Sequence, residues 1–231
     1  MRSQYGELFR PEGDAPHPVA VIIHGGFWRA RYGRKLNRDL CRALAARGWA
    51  AWNLEYRRLG RLSGGGWPTT FADVAEGIDH LDDLSGLDLS RVVAIGHSAG
   101  GHLAAWAATR QAPRVPVTGV VAQAGVLDLR LAWELRLSDG VVRRFIGGTP
   151  EEHPDRYALA SPAERVPLGV PSLLVHGGRD DIVPPVMSET FAEAARAAGD
   201  DCTLHVAVEE DHFGHIELRG PVIDPVFEWL R

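Results

Sequence analysis

Six short apolar runs punctuate the chain: VAVIIHGG, WAAWNLEY, RVVAIGH, TGVVAQAG, PSLLVHGG and CTLHVAVEE. Runs of this length that largely lack polar alternation read as strands covered on both faces. Between them lie segments of helical period near Leu36–Arg47, Thr70–Leu84, Ala99–Thr109 and Met187–Ala198, with a last one near Asp224–Arg231. Strands alternating with helices predict an α/β fold, a mostly parallel central sheet of about seven strands with helices on both faces. The 231 residues, 45% of them hydrophobic, suffice for one large core, so residues 1–231 are expected to form a single domain. The segment Leu127–Leu168 breaks the rhythm, being rich in Arg, Pro and Gly. It is expected to be a small cap-like insertion over the active site.

Charge and composition exclude several classes of function. A formal net charge of -5, with no basic run or basic-aromatic stripe, argues against nucleic acid and anionic membrane surfaces as partners. No apolar stretch approaches the ~18 residues of a membrane span, and the opening MRSQYGELFRPEGD lacks the apolar core of a signal peptide. The expected location is the cytoplasm. Cys41 and Cys202 have neither metal-ligand spacing nor a disulfide framework and read as buried free thiols.

In open α/β sheets ligands bind beyond the carboxyl ends of the strands, and most of these runs end in Gly, His or Asp. The run RVVAIGH leads directly into GHSAG, where Ser98 stands between a strand and a helix. A serine there can simply cap the helix. The G-x-S-x-G pattern in this context also fits a nucleophile on a strained turn, with Gly96 and Gly100 removing side chains where backbones crowd. HGGFW, His24–Trp28, supplies backbone N–H groups able to receive an oxyanion; Gly26, Phe27 and Ala99 are the expected donors, with Gly25 shaping the turn. Downstream, Asp180 and Asp181 follow one strand and His212 follows the next, an order in which an acyl-transfer triad occurs. His215 is a lesser candidate base. His97 and His102 lack the i, i+4 spacing of a helical metal pair and read as packing residues, so neither a metal nor a cofactor is expected.

Together HGGFW, NLEYR, GGGWP, GHSAGGHLA, HGGRDDIVP and DHFGH, spread from about Pro18 to about Ile216, resemble the α/β-hydrolase family. The resemblance is to its HGG-x-W branch, which includes kynurenine formamidases and small carboxylesterases. It implies a serine hydrolase of small esters or formamides with Ser98 as nucleophile, His212 as general base and Asp180 as the orienting acid. Asp180 is preferred to Asp181 because the family's acid stands four positions before the proline of this turn. The chain departs from the family at its start, where one strand near Gln4–Phe9 replaces two. That shortened N-terminus leaves the sheet edge and the oligomeric state, a homodimer included, open.

Trp28, Trp67 and Trp133 are assigned to the substrate pocket, with ordinary burial as the competing reading. Arg57, in EYRR, is read as part of a structural ion pair or as a ligand for a substrate carboxylate. Competing functions are a peptidase, which shares the triad, and a non-catalytic binding module. A dead relative usually lacks a triad residue, and none is missing here. Phe27 and Trp28 directly follow the expected oxyanion glycines, and bulky side chains there leave little room for a long acyl chain, so a small acyl group, formyl to butyryl, is expected. Nitrophenyl esters from acetate to decanoate should therefore show kcat/KM falling steeply beyond the short chains, because overfilling a pocket costs about as much per methylene as filling it gains. Phe27→Ala should move that threshold to longer chains. A maximum at octanoate or longer in the unmodified protein contradicts the small-acyl expectation.

Overall fold

All six apolar runs become strands of one seven-stranded sheet. The structure is a computed structural model and describes residues 5–231. In chain order the strands are β1 (Tyr5–Phe9), β2 (His17–Ile23), β3 (Ala50–Glu55), β4 (Leu87–His97), β5 (Gly119–Gln123), β6 (Ser172–Gly177) and β7 (Cys202–Ala207). They lie in the order β1-β3-β2-β4-β5-β6-β7. β1 runs antiparallel to β3, from Tyr5 opposite Glu55 to Phe9 opposite Ala51, and every other pairing is parallel. Of the expected lead strand, Gln4 lies outside the described residues.

Side chains alternate across the sheet, and each face takes its own helices. Val19, Val21, Ile23, Ala94 and Val120 face α2 (Thr69–Asp79), α3 (Ala99–Ala108) and α7 (Val186–Ala197). Ala20, Ile22, Ile95 and Val121 face α1 (Arg38–Ala45) and α8 (Gly220–Trp229). α8 begins four residues before the expected Asp224, because Pro221 sits in its first turn, where a missing N–H is harmless. Cys41 and Cys202 are both buried and free.

The segment 127–168 folds into three short α-helices, α4 (Leu129–Glu134), α5 (Leu137–Ile146) and α6 (Pro154–Ala160), and a 3-10 turn at Pro162–Arg165. Asp128 caps α4 by accepting the N–H groups of Arg130 and Leu131 at 2.8 and 3.1 Å. The segment is fastened to α3 by His102, whose Nε2–H donates to Ala160 O at 2.9 Å. It also reaches the loop after β2, where Arg29 donates to Ser138 O at 2.7 Å.

Parallel strands bring the carboxyl ends of β2, β4, β6 and β7 to one edge, with β4 in the middle of the sheet. α3 leaves β4 so closely packed that a Cβ at Gly100 would lie 2.0 Å from Ile23 O. Gly100→Ala should therefore lower the urea midpoint by the equivalent of about 2–3 kcal/mol, because backbone on both sides of the contact must move. An unchanged midpoint would contradict this packing.

Candidate active site

Ser98 occupies a left-handed conformation, φ 58° and ψ −121°, and its side chain makes no capping hydrogen bond to α3. Such a conformation is costly for a residue with a Cβ and persists where its surroundings enforce it. Here the enforcement is visible. Ser98 N–H donates to Gln123 O at 2.8 Å, and Ser98 O accepts His102 N–H at 3.1 Å and Val126 N–H at 3.3 Å. The first free N–H of α3, that of Ala99, follows the serine directly.

Past the ends of β6 and β7, two loops bring Asp180 and His212 together. Asp180 Oδ1 accepts the N–H groups of Ile182 and Val183 at 2.9 and 2.8 Å, and Oδ2 accepts Nδ1–H of His212 at 2.6 Å. Burial opposes charge on this carboxyl, but hydrogen bonds from His176 and His212 outweigh it and hold Asp180 well below the usual carboxylate range. Because a carboxylate can only accept, Nδ1 of His212 carries a hydrogen, and in the neutral imidazole the lone pair is then at Nε2. That is the tautomer a general base needs. Among the described residues neither Nε2 nor the Ser98 hydroxyl has a hydrogen-bond partner, and such bonds commonly tighten only with substrate present.

The histidines around the pair serve as packing and ties. His97 Nε2–H donates to His212 O at 2.9 Å, joining the base loop to the residue before Ser98, and the two rings lie 4.5 Å apart. Burial, with His212 and His215 nearby, pushes His97 well below its ordinary value, so it stays uncharged. His215 is buried with neither ring nitrogen partnered, and burial together with His176 and His212 brings it down to about 3. The structure thus puts His212, and not His215, on Asp180. Asp181 is exposed. His102 falls to about 4 through burial. Among the described residues no three His, Cys, Asp or Glu side chains are arranged to hold a metal ion.

The loop after β2 faces the serine. A Cβ at Gly25 would lie 2.6 Å from His97 O and 3.1 Å from Ser98 Cβ, so only glycine lets the two loops touch. Gly26, Phe27 and Trp28 then take left-handed φ values of 104°, 48° and 54°, and Arg29 N–H closes the turn on Gly26 O at 3.0 Å. The N–H groups of Gly26 and Phe27 have no acceptor among the described residues.

Of the three tryptophans expected at the pocket, one is wholly buried and the other two line separate hollows. Trp28 has no exposed surface; its ring stacks on Phe145 at 4.2 Å and meets His102 edge-on at 5.2 Å. Burial of the indole against Phe145 and His102 works against the strain of two left-handed side-chain-bearing residues, Phe27 and Trp28. Trp28 therefore anchors the loop instead of lining a pocket. Trp67 lines a groove of about 370 Å³ with Trp106 and Arg110, past the carboxyl end of α3 and about 15 Å along that helix from Ser98. Trp133 borders a cavity of about 800 Å³ within the 127–168 segment, with Arg136, Asp139 and Arg143. Arg57 is held by Asp73, its Nη2 at 2.6 Å and its Nε at 2.8 Å from the two carboxylate oxygens, so it forms the structural ion pair and not a substrate clamp.

Two residues with a part in the site went unread in the sequence. His176, four positions before Asp180 at the end of β6, donates from Nε2 to Val183 O at 2.8 Å and stands 3.3 Å from Asp180 Oδ2, while Ser188 holds its Nδ1 at 2.7 Å. His24, the first residue of HGGFW, sits 2.9 Å from Glu55 at the end of β3. The i, i+4 spacing of VHGGRD and the carboxylate of LEYR were the signals for them.

A family model described as BD-FAE matches residues 7–195. The chain belongs to the BD-FAE family. It is 29% identical over 225 residues to esterase LipC of Mycobacterium tuberculosis (strain ATCC 25618 / H37Rv), covering 89% of this chain and 52% of that protein. Esterase LipQ of the same organism is 28% identical over 204 residues, covering 79% and 46%. The chain thus spans about half the length of the curated relatives it matches. The thermophilic esterase Est2 of Thermogutta terrifontis, in a butyrate-bound structure, is 25% identical with a TM-score of 0.77, covering 97% of this chain and 87% of that one. The BD-FAE chain described here has the α/β-hydrolase fold. Asp180→Asn should cut turnover by orders of magnitude, since the amide removes the charge and allows the wrong imidazole tautomer, whereas Asp181→Asn should change it little. Equal losses, or the reverse ranking, measured as kcat on a short activated ester, would contradict this assignment.

Proposed function

We propose that this chain is a serine hydrolase that cleaves small acyl esters through an acyl-enzyme. The observation that carries the reading is the 2.6 Å bond from His212 Nδ1 to a buried, ionised Asp180, beside a serine held at φ 58°. Ser98 Oγ attacks the acyl carbonyl and passes its proton to His212 Nε2, and Asp180 stabilises the resulting imidazolium. The tetrahedral oxyanion is received by the N–H groups of Gly26, Phe27 and Ala99; those of Gly26 and Phe27 have no acceptor among the described residues and are free to donate. Collapse expels the alcohol, which takes the proton from His212. Water then repeats the sequence on the acyl-enzyme and releases the acid.

The names of the similar proteins support esters as the substrate class, and the butyrate bound to the Thermogutta terrifontis esterase fits a short acyl group. A formamide would be cleaved by the same steps with an amine leaving. Ser98→Ala should lower kcat/KM on nitrophenyl acetate or butyrate on the order of 10³-fold or more, with the urea midpoint nearly unchanged. Near-normal turnover by a folded Ser98→Ala protein would overturn the proposal. The same assay on N-formylkynurenine ranks formamide against ester.

A further inference from the structure

We infer that His24 is a positively charged positioning residue that polarises the peptide bond supplying one oxyanion donor. This rests on the reading of Gly26 N–H as such a donor. His24 is fully buried, with Nε2 2.9 Å from Glu55 Oε1 and Nδ1 2.9 Å from Gly25 O. The Tyr56 hydroxyl also lies 3.4 Å from Nδ1, but its single proton goes to His24 O at 2.7 Å, so it offers Nδ1 only an oxygen lone pair. A carbonyl oxygen never donates, and Glu55 is surrounded as a carboxylate. Its Oε1 also meets Arg58 Nη1 at 3.2 Å and Tyr56 N–H at 3.3 Å, and its Oε2 accepts Arg34 N–H at 3.3 Å. Both imidazole nitrogens must then carry hydrogen, which makes His24 an imidazolium.

The neighbours on every side accommodate that charge. Tyr56 lies flat on the ring, centroids 4.3 Å apart and planes 7° from parallel, and offers its electron-rich face to the cation. Its hydroxyl donates to His24 O at 2.7 Å. Arg58 is the other cation near the pair, and it is drawn to Glu55 and to Tyr32 O. From the elbow, Gly25 touches His97, which is uncharged.

The consequence follows from which atoms share a peptide unit. Gly25 C=O and Gly26 N–H are the two ends of one amide. A charged donor on the oxygen draws electron density toward it and makes the N–H at the other end a stronger donor. The Nδ1–H of His24 therefore reaches the oxyanion through one peptide bond, without touching substrate. Its partner Glu55 keeps the pair neutral overall and holds the ring in place.

Long-range proton–nitrogen NMR of uniformly 15N-labelled protein at neutral pH tests the charge directly, with His24 identified by contacts to the tyrosine ring stacked on it. Both His24 ring nitrogens should resonate in the protonated position; one nitrogen at the unprotonated position would overturn the inference. Glu55→Gln is the kinetic arm, because its amide can donate to Nε2 and keep the ring and the bond to Gly25 O in place while discharging the histidine. It should convert His24 to the neutral pattern and lower kcat on nitrophenyl acetate about tenfold, with KM within about twofold, since a weakened donor costs less than the 10²–10³-fold of a lost one. A discharged His24 with unchanged kcat would also overturn it. Failure of the serine mechanism would appear separately, as turnover surviving in Ser98→Ala whatever the state of His24.

Discussion

Where β4 turns into α3, three stretches of backbone meet with no room for a side chain between them. A Cβ on Gly96 would lie 2.1 Å from Gly100 O, one on Gly100 2.0 Å from Ile23 O, and one on Gly25 2.6 Å from His97 O. These contacts fix the end of β2, the serine turn and the first turn of α3 as one rigid piece. Ser98 takes its left-handed conformation there, with the loop after β2 packed against it at Gly25 and the N-terminus of α3 following it directly. The remaining site residues come to this piece from β3, β6 and β7, which is why the order of strands matters as much as any motif.

Two buried histidine–carboxylate pairs flank the turn, and they differ in the second ring nitrogen. His212 gives Nδ1–H to Asp180 and keeps Nε2 as a lone pair, so it can take a proton. His24 gives one N–H to Glu55 and the other to Gly25 O, so it has no lone pair left and can only donate. Burial disfavours charge at both carboxylates, and in both the hydrogen bonds prevail: His176 and His212 act on Asp180, and His24 leads for Glu55. One pair is thereby suited to move protons and the other to hold a field.

The sheet was legible because burial on both faces writes itself as uninterrupted apolar runs, and all six became strands in the expected parallel arrangement. Asp180 and His212 stood out because charged residues at strand ends are poor packing choices, and the structure brings the two into contact. Trp28 was misread because position in a loop does not reveal burial. Its ring turns back under the loop to stack on Phe145, a partner over a hundred residues away in a segment with little periodicity. His24 and His176 were missed for a related reason: their meaning lies in partners, Glu55 and Asp180, that only strand neighbours or a tight turn bring within 3.5 Å. Arg57 could be read either way until Asp73, from α2, was seen to occupy it.

The central claim is that the turn activates one particular hydroxyl. Incubation with a fluorophosphonate, followed by peptide mass mapping, tests it most directly, since such reagents phosphonylate a serine only where a base and an oxyanion site act together on it. The account predicts one adduct per chain, on the peptide carrying Ser98, and loss of that adduct when Asp180 is replaced by Asn. No adduct on Ser98 in the folded protein, or labelling of another serine in its place, would contradict it.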